Sequence, residues 1–252
     1  MSIYTTLDEN KEPTTLLLKG GPGTGKTWKA AHFPKPCFIN FDKNLSGLKK
    51  LPKSVRDGIK VVNPWVKIHP TDPKKNVKLK SQQVWDNFMK QLAVILADPD
   101  IETVVIDSMT TMQEVVKDKI LNSDQPTVQM QLQNWGTLER YWKALAAMTL
   151  TATDLDKTLV FIFHEKPYED SSSGVKMIMH GLNLGGSMKD NFDLYFSDVW
   201  RTSVKPTNKE PEYWVTTAPS RTFSAKKTLD LPPTFKWDDQ ESSIMKQIGG
   251  DK

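Results

Sequence analysis

The sequence predicts an α/β protein whose mostly parallel sheet is flanked by helices, with antiparallel strands late in the chain. Three observations predict it. Short apolar, β-prone runs at 14–19, 37–41, 103–106 and 158–163 alternate with stretches of helical spacing. The first run passes directly into a glycine-rich turn and then into helix-forming residues. The 252 residues are 38% hydrophobic and 25% charged, which suits one α/β domain or one domain with an extension.

Residues 1–12 are polar and read as a flexible lead-in. The core is expected over 13–230 and a polar tail over 231–252. The turn is Gly20-Gly21-Pro22-Gly23-Thr24-Gly25-Lys26-Thr27, which fits G-x-x-x-x-G-K-[ST] at every fixed position. Glycines let the backbone turn tightly and aim its N–H groups inward, and a following helix adds partial positive charge. Such a loop cradles phosphates. Lys26 reaches the outer ones, and the Thr27 hydroxyl holds Mg²⁺.

Pro34 and Pro36 end the helix that starts at Trp28. The second strand, 37–41, delivers Asp42 to the carboxyl end of the sheet, where open α/β sheets bind ligands. Asp42 also suits a helix N-cap for 45–50. A short third strand is expected at 58–62. The stretch 63–80 carries three prolines and Lys67, Lys74, Lys75, Lys78 and Lys80, and reads as a long surface loop. It suits a phosphate backbone, although a solvated loop explains it more simply. Val84, Trp85, Phe88, Leu92, Ile95 and Leu96 have helical spacing.

The strand 103–106 ends in Asp107. An apolar strand closing on Asp, downstream of such a loop, is the Walker B pattern, and Asp107 is the second expected Mg²⁺ ligand. The next helix has a capping-box pattern at Thr111 and Glu114. Residues 122–134 are polar and rich in glutamine, and a further helix is expected from about Trp135. The strand 158–163 ends in His164, placed beside the outer phosphate or held as a structural histidine. Residues 168–186 read as a mobile loop, 193–200 and 212–217 as a late pair of strands, and 220–227 as a basic segment.

One cysteine, Cys37, excludes an intrachain disulfide and fits a reducing compartment. No signal-peptide pattern and no membrane-length apolar run is present, so a cytoplasmic location is expected. The net charge of +4 permits nucleic-acid binding without arguing for it.

The order of loop, Asp42, Asp107, His164, a flexible loop, strands and a basic segment resembles the RecA-like P-loop ATPases. More closely it is similar to the compact AAA-type RecA-like ATPases of tailed phages associated with single-strand annealing and recombination. The resemblance spans Thr14 to Lys227 and rests also on Asn134-Trp135-Gly136 and Ala225-Lys226-Lys227. It implies ATP and Mg²⁺ as cofactors, hydrolysis stimulated by single-stranded DNA, and assembly into a filament or ring in the (host) cytoplasm. A single-strand-binding protein is an implied partner. Asp42 takes the place of the residue that activates the attacking water, where that family carries a glutamate. His164 takes that of the γ-phosphate sensor. The loops 122–134 and 168–186 would meet DNA. Lys226 and Lys227, with Arg221 in reserve, would reach the neighbouring subunit's site; Thr228 stands where the family often has arginine. A helicase-like motor, a small-molecule phosphotransferase and a nucleotide-gated module with little hydrolysis remain the alternatives.

Overall fold

Leu16, Leu17 and Leu18 have no solvent exposure on either side of their strand. A strand with both faces covered belongs in the middle of a sheet between two helical layers. The computed structural model of the chain describes residues 14–125, 127–171, 174, 176–185, 191–208 and 210–249. The expected lead-in, Ser172, Ser173 and Gly186 lie outside the described residues.

In chain order the elements are β1 (Thr15–Gly20), α1 (Lys26–Ala30), β2 (Pro36–Asn40), α2 (Lys53–Arg56), β3 (Lys60–Val62), β4 (Val66–Lys67), β5 (Val77–Lys78) and α3 (Ser81–Ala97). They continue as β6 (Thr103–Asp107), α4 (Met109–Leu121), α5 (Leu132–Asp154), β7 (Thr158–Asp170), β8 (Met177–Leu182), β9 (Asp198–Lys205), β10 (Glu212–Thr216), β11 (Thr234–Lys236) and α6 (Trp237–Gly249). The main sheet has the order β11-β10-β9-β1-β7-β6-β2-β3. From β9 to β3 neighbouring strands are parallel, and β10 and β11 are added antiparallel. This is the α/β P-loop core with late antiparallel strands that the sequence predicted.

Strand alternation sends Leu17, Ile39, Val104, Ile106, Phe161 and Phe163 into one core with α3, α4 and α5. Leu16, Leu18, Phe38, Val105, Val160 and Ile162 enter a second core, shared with α1 and α6. Register aligns the carboxyl ends: Gly20 of β1 lies opposite His164 of β7, and Asn40 of β2 opposite Asp107 of β6. The P-loop strand and the Walker B strand are therefore separated by β7.

Several expectations are corrected. α1 is only five residues long: it starts at Lys26, before the expected Trp28, and stops at Ala30, well short of Pro34. Within 63–80, β4 and β5 form a small antiparallel hairpin. Helix α4 is capped by Ser108, whose hydroxyl accepts from the Thr111 N–H at 3.4 Å, so Thr111 is no capping residue. Helix α5 begins at Leu132, inside the glutamine-rich stretch. Strand β7 does not stop at Phe163. It runs on to Asp170 and pairs antiparallel with β8, so much of the expected loop 168–186 is a hairpin. The strand expected from Asp193 starts at Asp198, after a single 3-10 turn at Phe192–Tyr195. Residues 234–249 are no loose tail: β11 extends the sheet, and Trp237 and Ile244 of α6 are buried in the second core. No described helix is long and apolar enough to cross a membrane.

Candidate nucleotide-binding site

The loop between β1 and α1 is shaped by close approaches. A Cβ on Gly20 would lie 2.3 Å from Thr202 Oγ1 and 2.5 Å from the Thr202 carbonyl, because β9 packs against the loop there. Gly25 has φ of 79°, a left-handed conformation, and a Cβ would meet Lys29 Nζ at 2.9 Å. The Thr24 hydroxyl donates to the Gly21 carbonyl at 2.9 Å and lies 2.7 Å from Thr202 Oγ1. Lys29, 1% exposed, donates to the Thr24 carbonyl at 3.1 Å and sits 5.1 Å from the Tyr213 ring centroid. Burial pulls its pKa down to about 8, with Asp238 pulling the other way. A buried lysine therefore fixes the loop from below, which the motif does not announce.

Lys26 spans the loop itself. Its ammonium donates to the Gly21 carbonyl at 2.7 Å and to the Gly20 carbonyl at 2.9 Å. Burial lowers its pKa to about 8, against the pull of Asp107, Glu165 and Asp42. Beside it, Thr27 Oγ1 donates to Asp107 Oδ2 at 2.7 Å. Asp107 is 3% exposed, and burial raises its pKa to about 6 even with the Thr27 bond. A buried carboxylate and a hydroxyl on one point are a hard-oxygen pair that suits Mg²⁺. A cation there would offset the burial that the carboxylate now bears.

Asp42 does not cap the turn at 46–50, which has Leu45 at its start and no side-chain cap. Its Oδ1 accepts from the Ser108 hydroxyl at 2.8 Å and the Ser108 N–H at 3.2 Å. Its Oδ2 lies 3.6 Å from His164 Nε2. Burial pushes its pKa up, but hydrogen bonds from His164, Thr111 and Ser108 outweigh this and hold it at about 2. The His164 backbone N–H donates to Thr110 Oγ1 at 3.1 Å, and its carbonyl accepts from the Asn183 N–H at 2.8 Å. His164 Nδ1 is buried without a hydrogen-bond partner among the described residues. Asp107 thus meets Thr27 of the loop, and Asp42 stands between Ser108 and His164. Ser108 and Thr110, which hold Asp42 and His164, carry no role in the sequence reading, and Thr111 reads there only as a cap. Their signal was the N-terminus of a helix directly after the Walker B strand.

The remaining expected residues lie elsewhere. Lys226 exchanges backbone hydrogen bonds with Val199 at 2.8 and 3.0 Å, near the amino end of β9, and Lys227 Nζ donates to the Leu231 carbonyl. Neither reaches the P-loop of its own chain. Arg221 is exposed on the turn between Ser220 and Thr222. Of the two stretches expected to meet DNA, the end of the second packs on the start of α5: the Trp135 ring stands 2.1 Å from where a Cβ on Gly185 would be. Sequence reading also missed a buried pair. Glu165, its side chain 3% exposed, takes Arg201 Nε on both carboxylate oxygens at 2.9 and 3.1 Å. Beside it Lys19, 1% exposed, donates to Ser224 Oγ at 2.8 Å.

The loop, the buried Lys26 and the Thr27–Asp107 pair define a P-loop nucleotide-binding protein. A family model described as "AAA domain" matches residues 12–229, and the chain belongs to that family. Among solved structures it is similar to the KaiC-like protein PH0186 of the archaeon Pyrococcus horikoshii OT3, at 15% identity and a TM-score of 0.46, covering 89% of this chain and 90% of that one. It is also similar to the flagellar accessory protein FlaH of Methanocaldococcus jannaschii, at 11% identity and a TM-score of 0.45, covering 88% of each chain. No curated protein sequence matches the chain closely enough to serve as a relative.

Proposed function

We propose that the chain is a Mg²⁺-dependent RecA-like ATPase of the phage recombination and strand-annealing type, which binds single-stranded DNA and works as an oligomer. The observation that carries the hydrolysis is the placement of Asp42 beside His164 and one strand from Asp107. Thr27 and Asp107 would hold Mg²⁺, which neutralises charge on the outer phosphates when bound. Lys26 and the loop N–H groups orient the γ-phosphate. A water held by Asp42 attacks phosphorus. The new O–P bond forms as the bond to the β-phosphate oxygen breaks, and the water's proton passes to the Asp42 carboxylate.

A carboxylate near pKa 2 is a weak base. Phosphoryl transfer through a loose transition state asks more for orientation than for basicity, so Asp42 serves mainly to position the water. His164 couples that position through Asn183 to the end of β8, and so to the stretch 168–186 expected to contact DNA. Lys226 and Lys227, remote from their own loop, suit contact with a neighbouring subunit.

A nucleotide-gated module with slow turnover is the second reading. The same observation favours it: Asp42 is already engaged by Ser108 and shorter than a glutamate. ATP hydrolysis with Mg²⁺, measured with single-stranded DNA, duplex DNA and no DNA, tests the proposal. Turnover raised several-fold by single strands alone supports it. A rate indifferent to DNA moves the weight to the gated module.

A further inference from the structure

The two sides of the P-loop offer a nucleotide different things. On the β7 and β6 side stand His164, Asp107 and Asp42, a polar cluster suited to the outer phosphate. On the other side of the loop lie β9 and β10, where a groove of about 490 Å³ is lined by Thr207, Glu210, Pro211, Glu212, Tyr213, Lys236 and Asp238.

Tyr213 joins the groove to the loop. Its ring carbons lie 3.3 and 3.6 Å from where a Cβ on Gly25 would be. Lys29 Nζ approaches the ring at 5.1 Å, so the buried cation supports the ring from the loop side. Tyr213 is 43% exposed and lines the groove, so it is open to a ligand there. Among the acids on the wall, Glu212 is engaged by Lys236 at 2.5 Å and by Trp214 Nε1 at 3.1 Å. Asp238, in the first turn of α6, also lines this space and is near enough to Lys29 to act on its charge.

We infer that this groove is the nucleoside subsite: Tyr213 stacks on the base of the nucleotide held by the P-loop, and Asp238 accepts from an amino or hydroxyl group of the nucleoside. The inference rests on the P-loop reading and extends it to the chemistry that separates a nucleotide from bare polyphosphate. A π-platform takes any base, so discrimination between bases falls to the polar wall.

The test is a binding titration of the full chain with Mg²⁺ and two probes, ATP and inorganic tripolyphosphate, on wild type, Tyr213→Ala and Tyr213→Phe. Loss of one base-aromatic stack predicts about ten-fold weaker ATP binding in Tyr213→Ala. Tripolyphosphate binding should be unchanged in that variant, and Tyr213→Phe should bind ATP like wild type. Equal weakening of both probes overturns the subsite and makes Tyr213 a prop of the loop. Unchanged ATP binding in Tyr213→Ala overturns it as well. Failure of the P-loop reading is recognised separately, because wild type would then bind neither probe and Lys26→Ala would change nothing.

Discussion

The phosphate side and the nucleoside side of the P-loop are built by opposite strategies. On the phosphate side Lys26 and Thr27 open α1, while Asp42, Asp107 and His164 stand at the carboxyl ends of parallel strands; Ser108, directly after Asp107, binds Asp42. On the nucleoside side the wall is a late antiparallel hairpin plus the start of α6, joined to the loop through Tyr213 and the buried Lys29. The difference teaches where charge is tolerated. The phosphate side concentrates two carboxylates and a lysine under cover, and their pKa values are displaced to about 2, 6 and 8. The nucleoside wall is open, and its ion pair Glu212–Lys236 is a surface pair of small energetic consequence.

The largest expected effect comes from removing the charge at the centre of the phosphate side. Lys26→Ala should abolish ATP binding, or at least lower kcat/KM by orders of magnitude; equilibrium binding and steady-state turnover check this. Unchanged turnover would remove the P-loop from the chemistry.

A second prediction uses pH to separate the groups. Asp107 must be ionised to hold Mg²⁺ and titrates near 6 in the free protein. Lys26 must be protonated to hold phosphate and titrates near 8. The pH profile of kcat/KM should therefore rise through about 6 and fall through about 8. A profile flat between 5 and 9 would contradict both assignments.

The third concerns stability without nucleotide. The folded-state pKa of Asp107 lies above its unfolded value, so the native state binds more protons between pH 3.8 and about 6. Stability from this group is therefore lost as pH rises through that window. Asp107→Asn keeps an oxygen for Thr27 and removes the buried charge. It should stabilise the Mg²⁺-free protein at pH 7 by about 2–3 kcal/mol, the equivalent of the carboxyl's rise from 3.8 to about 6, and have no effect at pH 3.5. Denaturant unfolding at the two pH values measures it, and equal effects at both would break the argument.

The smallest effect is expected at Lys226, whose Nζ lies at the outer limit, 3.5 Å, from the Leu194 carbonyl. Lys226→Ala should lower DNA-stimulated turnover a few-fold and leave ATP binding by the monomer intact. A rate equal to wild type would argue against contact between subunits.

Much of the phosphate side was legible in the sequence. Its residues are contiguous in the P-loop or end apolar strands, and both patterns survive without knowledge of packing. The nucleoside side was not, because it depends on β9 lying next to β1, which brings residues 202 and 213 to a loop at 20–27. Nothing local to Tyr213 marks it. The extension of β7 was hidden by Pro167, a poor strand residue that a two-stranded hairpin tolerates opposite His180. The docking of α6 was hidden because its first turn is acidic, and Trp237 reads as isolated until Phe33 stacks against it at 6.5 Å. Likewise the capping box at Thr111 was a fair local reading. It lost to Ser108, whose hydroxyl both accepts from the Thr111 N–H and donates to Asp42.

The most direct test of the division between holding and cleaving is a single-turnover experiment on Asp42→Asn, with bound ATP and released phosphate read from the same Mg²⁺-containing sample. The variant should fill with ATP like wild type and release phosphate at least about 100-fold more slowly. Phosphate release at the wild-type rate would contradict the assignment of Asp42 and place the water-positioning group elsewhere.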